Sequence, residues 1–127
     1  MSKINTFEDL ECWKHSKELR KDVNDIIKEF PKEEKYRLID QIIRCSRSIT
    51  ANIAEGFGRY HYLENAKFCR NSRGSLMELL DHFIVAEECE YINNEQLDEI
   101  KIKILKCNLI LNGYINYLVK MNTHKND

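Results

Sequence analysis

The sequence predicts an all-α protein, folded as an antiparallel up-and-down four-helix bundle. Two observations predict the helices. The 127 residues contain one proline and four glycines, too little punctuation for a chain of short strands. Apolar residues also recur at three- and four-residue intervals over four long segments, the spacing of one helix face. The third observation concerns topology. The breaks fall near residues 30–32, 56–62 and 90–94, and connections that short make successive helices antiparallel neighbours. The length suits a single domain over 1–127, with a polar tail from about 122 to 127. Hydrophobic residues make up 43% and charged residues 32%, enough for one core with a well-solvated exterior.

The first helix is expected from Phe7 to Phe30. Thr6 and Asp9 stand three apart as a capping pair. Trp13, Leu19, Val23, Ile26, Ile27 and Phe30 form the stripe, with Trp13 as a core anchor. Phe30-Pro31 ends it, because a residue before proline leaves the α region. The second helix is expected to begin near Pro31, with Glu33 and Glu34 at the positive end of its dipole. Leu38, Ile39, Ile42, Cys45, Ser46, Ile49 and Ile53 form its face. Gly56-Phe57-Gly58 is expected to end it through a left-handed glycine. The third helix is expected from Leu63 to Cys89, with Ala66, Cys69, Ser72, Leu76, Leu79, Leu80, Phe83 and Ala86 inward. Gly74 at mid-helix costs about 1 kcal/mol against alanine, for which a close helix crossing is the expected compensation. The fourth starts at Asn93 with Gln96 as capping partner. It presents Leu97, Ile100, Ile104, Leu111, Ile115 and Leu118, and frays near Met121.

No run of about 18 apolar residues is available to span a membrane. The stretch from Met1 to Asp9 is polar, unlike a signal peptide. Cysteines at 12, 45, 69, 89 and 107 are odd in number and form no C-x-x-C. They read as reduced thiols of a cytoplasmic protein rather than a disulfide framework or zinc site. Glu11/His15 and Glu78/His82 are spaced four apart, not as the Glu-x-x-His of di-iron bundles, and read as solvated residues. Cys12 and His15 are only a two-ligand fragment. No phosphate-binding loop or nucleophile elbow occurs. The expectation is a protein without catalytic residues, metal or cofactor.

Net charge is −1, but it is unevenly spread. Residues 35–73 carry eight Lys or Arg against three acids, while 78–99 carry eight acids and no Lys or Arg. The strongest surface feature is therefore the set Arg37, Arg44, Arg47, Arg59, Lys67, Arg70 and Arg73, a candidate phosphate-binding face. Tyr60 and Tyr62 nearby suit base stacking. If a turn near residue 59 pairs the second and third helices, Arg44 and Arg47 fall level with residues of about 71–74, beside Arg70 and Arg73. Asp40, Glu78 or the acidic 78–99 stretch are the compensating candidates. Ser48, Asn52, Glu55, Ser75 and Glu78 lie close to the apolar stripes and form a candidate buried polar cluster fixing helix register. Ile43, Ile102 and Tyr114 lie off the stripes, where they can meet a neighbouring subunit.

Several blocks carry a resemblance. In order, they are Asp9-Leu10-Glu11-Cys12-Trp13-Lys14, Phe30-Pro31-Lys32-Glu33-Glu34-Lys35-Tyr36, Gln41-Ile42-Ile43-Arg44-Cys45, Ser48 through Arg59, and Gly74-Ser75-Leu76-Met77-Glu78-Leu79. Asn52-Ile53-Ala54-Glu55-Gly56-Phe57-Gly58-Arg59 is the most specific. The chain resembles the four-helix-bundle proteins encoded in intervening sequences of bacterial 23S ribosomal RNA genes. The resemblance implies a ring-like homopentamer. It also implies kinship with the accessory variability protein of diversity-generating retroelements, which binds a reverse transcriptase. Thr50 stands where that family usually has proline. The expected function is that of a non-enzymatic oligomeric accessory protein contacting RNA or DNA through the arginine face. The alternative is an oligomeric adaptor that binds only protein.

Overall fold

The computed structural model describes residues 3–125. Among these residues there are four α-helices and no strand: α1 (Glu11–Ile27), α2 (Leu38–Gly58), α3 (Tyr62–Glu88) and α4 (Asn94–Lys125). Short 3-10 turns at Phe7–Asp9 and Lys32–Glu34 precede α1 and α2. No helix among the described residues is long and apolar enough to cross a membrane.

The expected first helix is divided. The Thr6 hydroxyl accepts the Glu8 N–H at 3.2 Å, and the Asp9 carboxylate accepts the N–H groups of Asn5 and Thr6 at 2.9 and 3.2 Å. This cap serves only the 3-10 turn. Leu10 is extended at ψ 131°, buries its side chain in the core, and its carbonyl starts α1 by accepting from Trp13 and Lys14. α1 stops at Ile27, short of proline. Phe30 then turns inward against Tyr91, with ring centres 5.5 Å apart. Pro31 opens a 3-10 turn rather than α2. Arg37 (φ −123°, ψ −108°) separates that turn from α2, which begins at Leu38. The Tyr91 hydroxyl donates to Glu34 at 2.9 Å, tying this connection to the one after α3.

Two glycine expectations are corrected. α2 runs through both Gly56 and Gly58, and the left-handed residue is Tyr60 (φ 61°). Gly56 is needed for closeness instead: a Cβ there would lie 2.9 Å from the Asn65 carbonyl oxygen and 3.0 Å from Phe68 Cβ. Gly74 makes no close crossing, since a Cβ there would meet nothing within 4 Å. The two alanine variants should therefore move stability in opposite directions. Gly74→Ala should gain about 1 kcal/mol from helix propensity. Gly56→Ala should lose about 1–2 kcal/mol net, because overpacking outweighs that gain. Thermal melts of both variants check the pair, and a rise for Gly56→Ala would contradict the close approach.

The buried faces largely follow the stripes. α3 buries Ala66, Cys69, Ser72, Leu76, Leu79, Phe83 and Ala86, adding Asn65 and leaving Leu80 half-buried. α4 buries Ile100, Ile104, Leu111, Ile115 and Leu118, adds Cys107, and leaves Leu97 half-buried. Its cap is reciprocal: Gln96 N–H to Asn93 Oδ1 at 2.8 Å and Asn93 N–H to Gln96 Oε1 at 2.9 Å. Nothing after Met121 breaks a helix, so α4 continues to Lys125 instead of fraying. The last two residues of the expected tail lie outside the described residues.

On α1 the centre of the buried face is Cys12, Ser16, Leu19, Val23 and Ile27. Trp13 is only half-buried. It meets Phe7 edge-on at 5.2 Å between ring centres, with the Lys17 ammonium 5.6 Å from its ring. Cys12 and Ser16 take the buried positions there, and the large indole lies at the margin.

Each helix packs on two others, in the closed order α1, α2, α3, α4. Along α2 and α3 residue numbers run in opposite senses: Cys45 and Ser48 meet Ser75, Ile49 meets Ser72, and Gly56 meets Asn65. Arg73 meets Asn112 and Asn65 meets Tyr114 between α3 and α4. Arg20 donates to Thr50 between α1 and α2, and Lys103 pairs with Asp22 between α4 and α1. Ser72 is fully buried, and its hydroxyl donates to the Ile49 carbonyl at 2.6 Å.

Candidate functional site

The cationic set lies on α2, its two flanking residues Arg37 and Arg59, and α3, but its members do different things. Arg44 pairs with Asp40 on its own helix at 3.2 Å. Arg59 is held between Glu55 at 3.1 Å and Glu64 at 3.7 Å, with its guanidinium 5.0 Å from the Phe68 ring centre. Arg73 turns toward α4 and donates to Asn112 at 2.9 Å. Arg37, Arg47, Lys67 and Arg70 are exposed and make no ion pair among the described residues.

The register also differs from that expected for a turn near residue 59. Because α2 continues through Gly58, the chain reverses at Tyr60 and His61. Ile49 then lies opposite Ser72 and Ser48 opposite Ser75. This moves Arg44 most of a turn along α3, toward the level of Glu78 rather than Arg73. The free cations that remain are on the outer sides of α2 and α3, where solvated ions can reach them.

The polar residues expected beside the stripes divide similarly. Ser48 and Ser75 hydroxyls lie 3.0 Å apart across the α2–α3 seam. Asn52 Nδ2 donates to the Ser48 hydroxyl at 3.0 Å and to its carbonyl at 2.8 Å. These three share one network on adjacent turns, where each hydroxyl and amide has a partner. Glu55 is outside it, exposed and bonded to Arg59. Glu78 is also outside it and exposed, 3.3 Å from His82 Nε2.

Two features were not apparent in the sequence. The first is a cleft of about 370 Å³ at the end of the bundle, where the α2–α3 turn meets α4. Tyr60, Tyr62, Tyr114 and Tyr117 line it, with Asn65 between them donating to the Tyr114 hydroxyl at 3.0 Å. Only the two tyrosines of the turn are identifiable by their proximity to the basic residues. The second is a grouping of Cys45 with Glu78 and His82, whose ligand atoms lie within 4.8 Å of one another. The spacing of Glu78 and His82 places both on one face of α3. That face meets Cys45 only through the α2–α3 register.

The remaining off-stripe residues are also separated by the packing. Ile43 and Tyr114 are half-buried against the core of their own chain. Ile102 is 67% exposed, with Leu105 and Leu109 on the same side of α4 and 44% and 73% exposed. Met77 and Ile84 of α3 are exposed too. The Arg73–Asn112 and Asn65–Tyr114 contacts place Met77 level with the stretch of α4 from Ile102 to Asn108. Exposed apolar side chains thus occur on both α3 and α4.

Residues 8–113 match the family model of the 23S rRNA-intervening sequence protein. No curated protein matches the chain.

Proposed function

Because this chain belongs to the 23S rRNA-intervening sequence protein family, we propose that it is a non-enzymatic accessory protein, working as a homo-oligomer of antiparallel up-and-down four-helix bundles. A pentamer is the favoured assembly, and kinship with the retroelement accessory protein belongs to the same reading. The observation that carries the proposal is the exposure of Ile102, Leu105 and Leu109 on one side of α4, together with Met77 and Ile84 on α3. Exposed large apolar side chains grouped in this way suit a site of association. A second copy of the chain is its occupant in this reading. The outer sides of α2 and α3 then carry Arg37, Arg47, Lys67 and Arg70 to the phosphates of RNA or DNA.

The test has two parts. Light scattering should give a mass several times that of one 15.2 kDa chain, and Ile102→Glu with Leu109→Glu should reduce it to the monomer. A native monomer at micromolar concentration would remove the assembly. Binding to a single-stranded RNA should weaken steeply with salt, with a logarithmic slope of about −0.7 for each phosphate contacted. Arg47→Gln with Arg70→Gln should abolish it while leaving the mass unchanged.

A second reading is supported by the engagement of Arg44, Arg59 and Arg73 within the chain. Three of the seven cations are thereby held in internal partnerships, as suits an adaptor that binds only protein. An intact oligomer with no RNA or DNA binding at low salt would select it.

A further inference from the structure

We propose that Cys45, Glu78 and His82 form a binding site for one divalent cation of zinc-like character, clipping α2 to α3. The inference is independent of the oligomer and of the cationic surface.

The geometry is the first support. Zinc bonds of about 2.0–2.3 Å in tetrahedral arrangement place neighbouring donor atoms roughly 3.3–3.8 Å apart. His82 Nε2 and Glu78 Oε2 already stand 3.3 Å apart. All three ligand atoms fall within 4.8 Å of one another, so the sulfur lies at most about 1–1.5 Å beyond tetrahedral spacing. Glu78 and His82 project from successive turns of α3, and Cys45 faces them from α2. Donors mounted on rigid helices hold their separation without a ligand.

The donor chemistry is the second. A thiol sulfur, an imidazole nitrogen and one carboxylate oxygen suit zinc, cobalt or nickel, and they are a poor set for magnesium or calcium. A thiolate and a carboxylate this close repel each other, and a doubly positive ion between them cancels both charges. Without one, the Cys45 thiol stays protonated and donates to the Ser75 carbonyl at 3.0 Å.

Exposure sets the character of the site. Cys45 is buried, the His82 side chain is 15% exposed and that of Glu78 is 61% exposed. The cation is sheltered on the core side and open on the other. The chain supplies three ligands and leaves the fourth position to water, as in an open zinc site rather than a closed structural one.

Cobalt(II) is the probe, titrated into the reduced full-length protein. One equivalent per chain should give thiolate-to-cobalt charge-transfer absorption with the visible bands of a tetrahedral ion, and zinc should bleach both. Cys45→Ser should lose the charge-transfer band, whereas Cys89→Ser should keep it. Glu78→Gln alters an exposed side chain and so preserves the fold. It should weaken cobalt binding by about tenfold or more. No sulfur band in the native chain at millimolar cobalt would overturn the proposal. So would a band that survives Cys45→Ser, or affinity unchanged in Glu78→Gln.

Discussion

Raising the pH above about 9 should unfold this protein, and steeply. Burial pushes the thiols of Cys12 and Cys69 up to about 12 from 9.0, and that of Cys107 up to about 11. Burial likewise pushes the Tyr114 hydroxyl from 10.0 to about 12, against the opposing hydrogen bond from Asn65. Each group keeps its proton longer in the native state than in the unfolded chain. The associated stability is therefore complete below the unfolded value, and it is lost as pH climbs through the window from about 9 to about 12. One such thiol gives up about 1.4 kcal/mol per pH unit in that window, and three together about 4 kcal/mol per unit. A domain of this size is stable by about 5–15 kcal/mol, so the transition should fall within a few units of its onset. Melting midpoints by circular dichroism, taken at half-unit intervals above neutrality under a phosphine reductant, test this. Cys12→Ala removes one titrating group, and its alkaline decline should be correspondingly shallower. A native midpoint that stays flat to about pH 10.5 would show that these thiols ionise as freely folded as unfolded.

Phe83→Ala should lower stability by about 3–5 kcal/mol. Phe83 is fully buried, in one core cluster with Ile42, Ile49, Leu79, Ile100 and Ile104. Removing the ring loses its transfer free energy and leaves a cavity that helices on both sides restrict from collapsing. The melting midpoint should fall by roughly 10–20 °C, given the unfolding entropy of a chain this long. Trp13→Ala is the informative comparison. Trp13 is larger but half-buried, against Phe7 and the Lys17 side chain. Its loss should cost well under half as much, and equal losses in the two variants would mean that the indole is as enclosed as Phe83. Guanidinium titrations of both proteins give the comparison at one temperature.

The sequence alone determined the elements. The stripes on α3 and α4, the reciprocal cap at Asn93 and Gln96, and the three breaks are all local consequences of helix periodicity and end chemistry. These are written within a few residues of where they act. The family was also legible, because a block such as Asn52 through Arg59 is a linear pattern. Errors arose where a local signal had two readings. A glycine can end a helix or admit a neighbour, and only the Asn65 carbonyl beside Gly56 selects the second. A large aromatic suggests a core anchor, yet the buried face of α1 there is Cys12 and Ser16, and Trp13 stands about 100° round the helix from Cys12. Tertiary structure alone decided everything that depends on register between helices. The reversal at Tyr60 displaced Arg44 along α3 and set Glu64 beside Arg59, and the packing of α4 gave Arg73 its partner in Asn112, whereas Arg44–Asp40 and Arg59–Glu55 are local pairs one turn apart. That register also brought Cys45 to Glu78 and His82, some thirty residues away, and joined Ser48 to Ser75. One turn of helix is only about 5.4 Å long. A shift of a few residues in where a chain reverses therefore exchanges every contact between two helices, while their individual patterns stay the same.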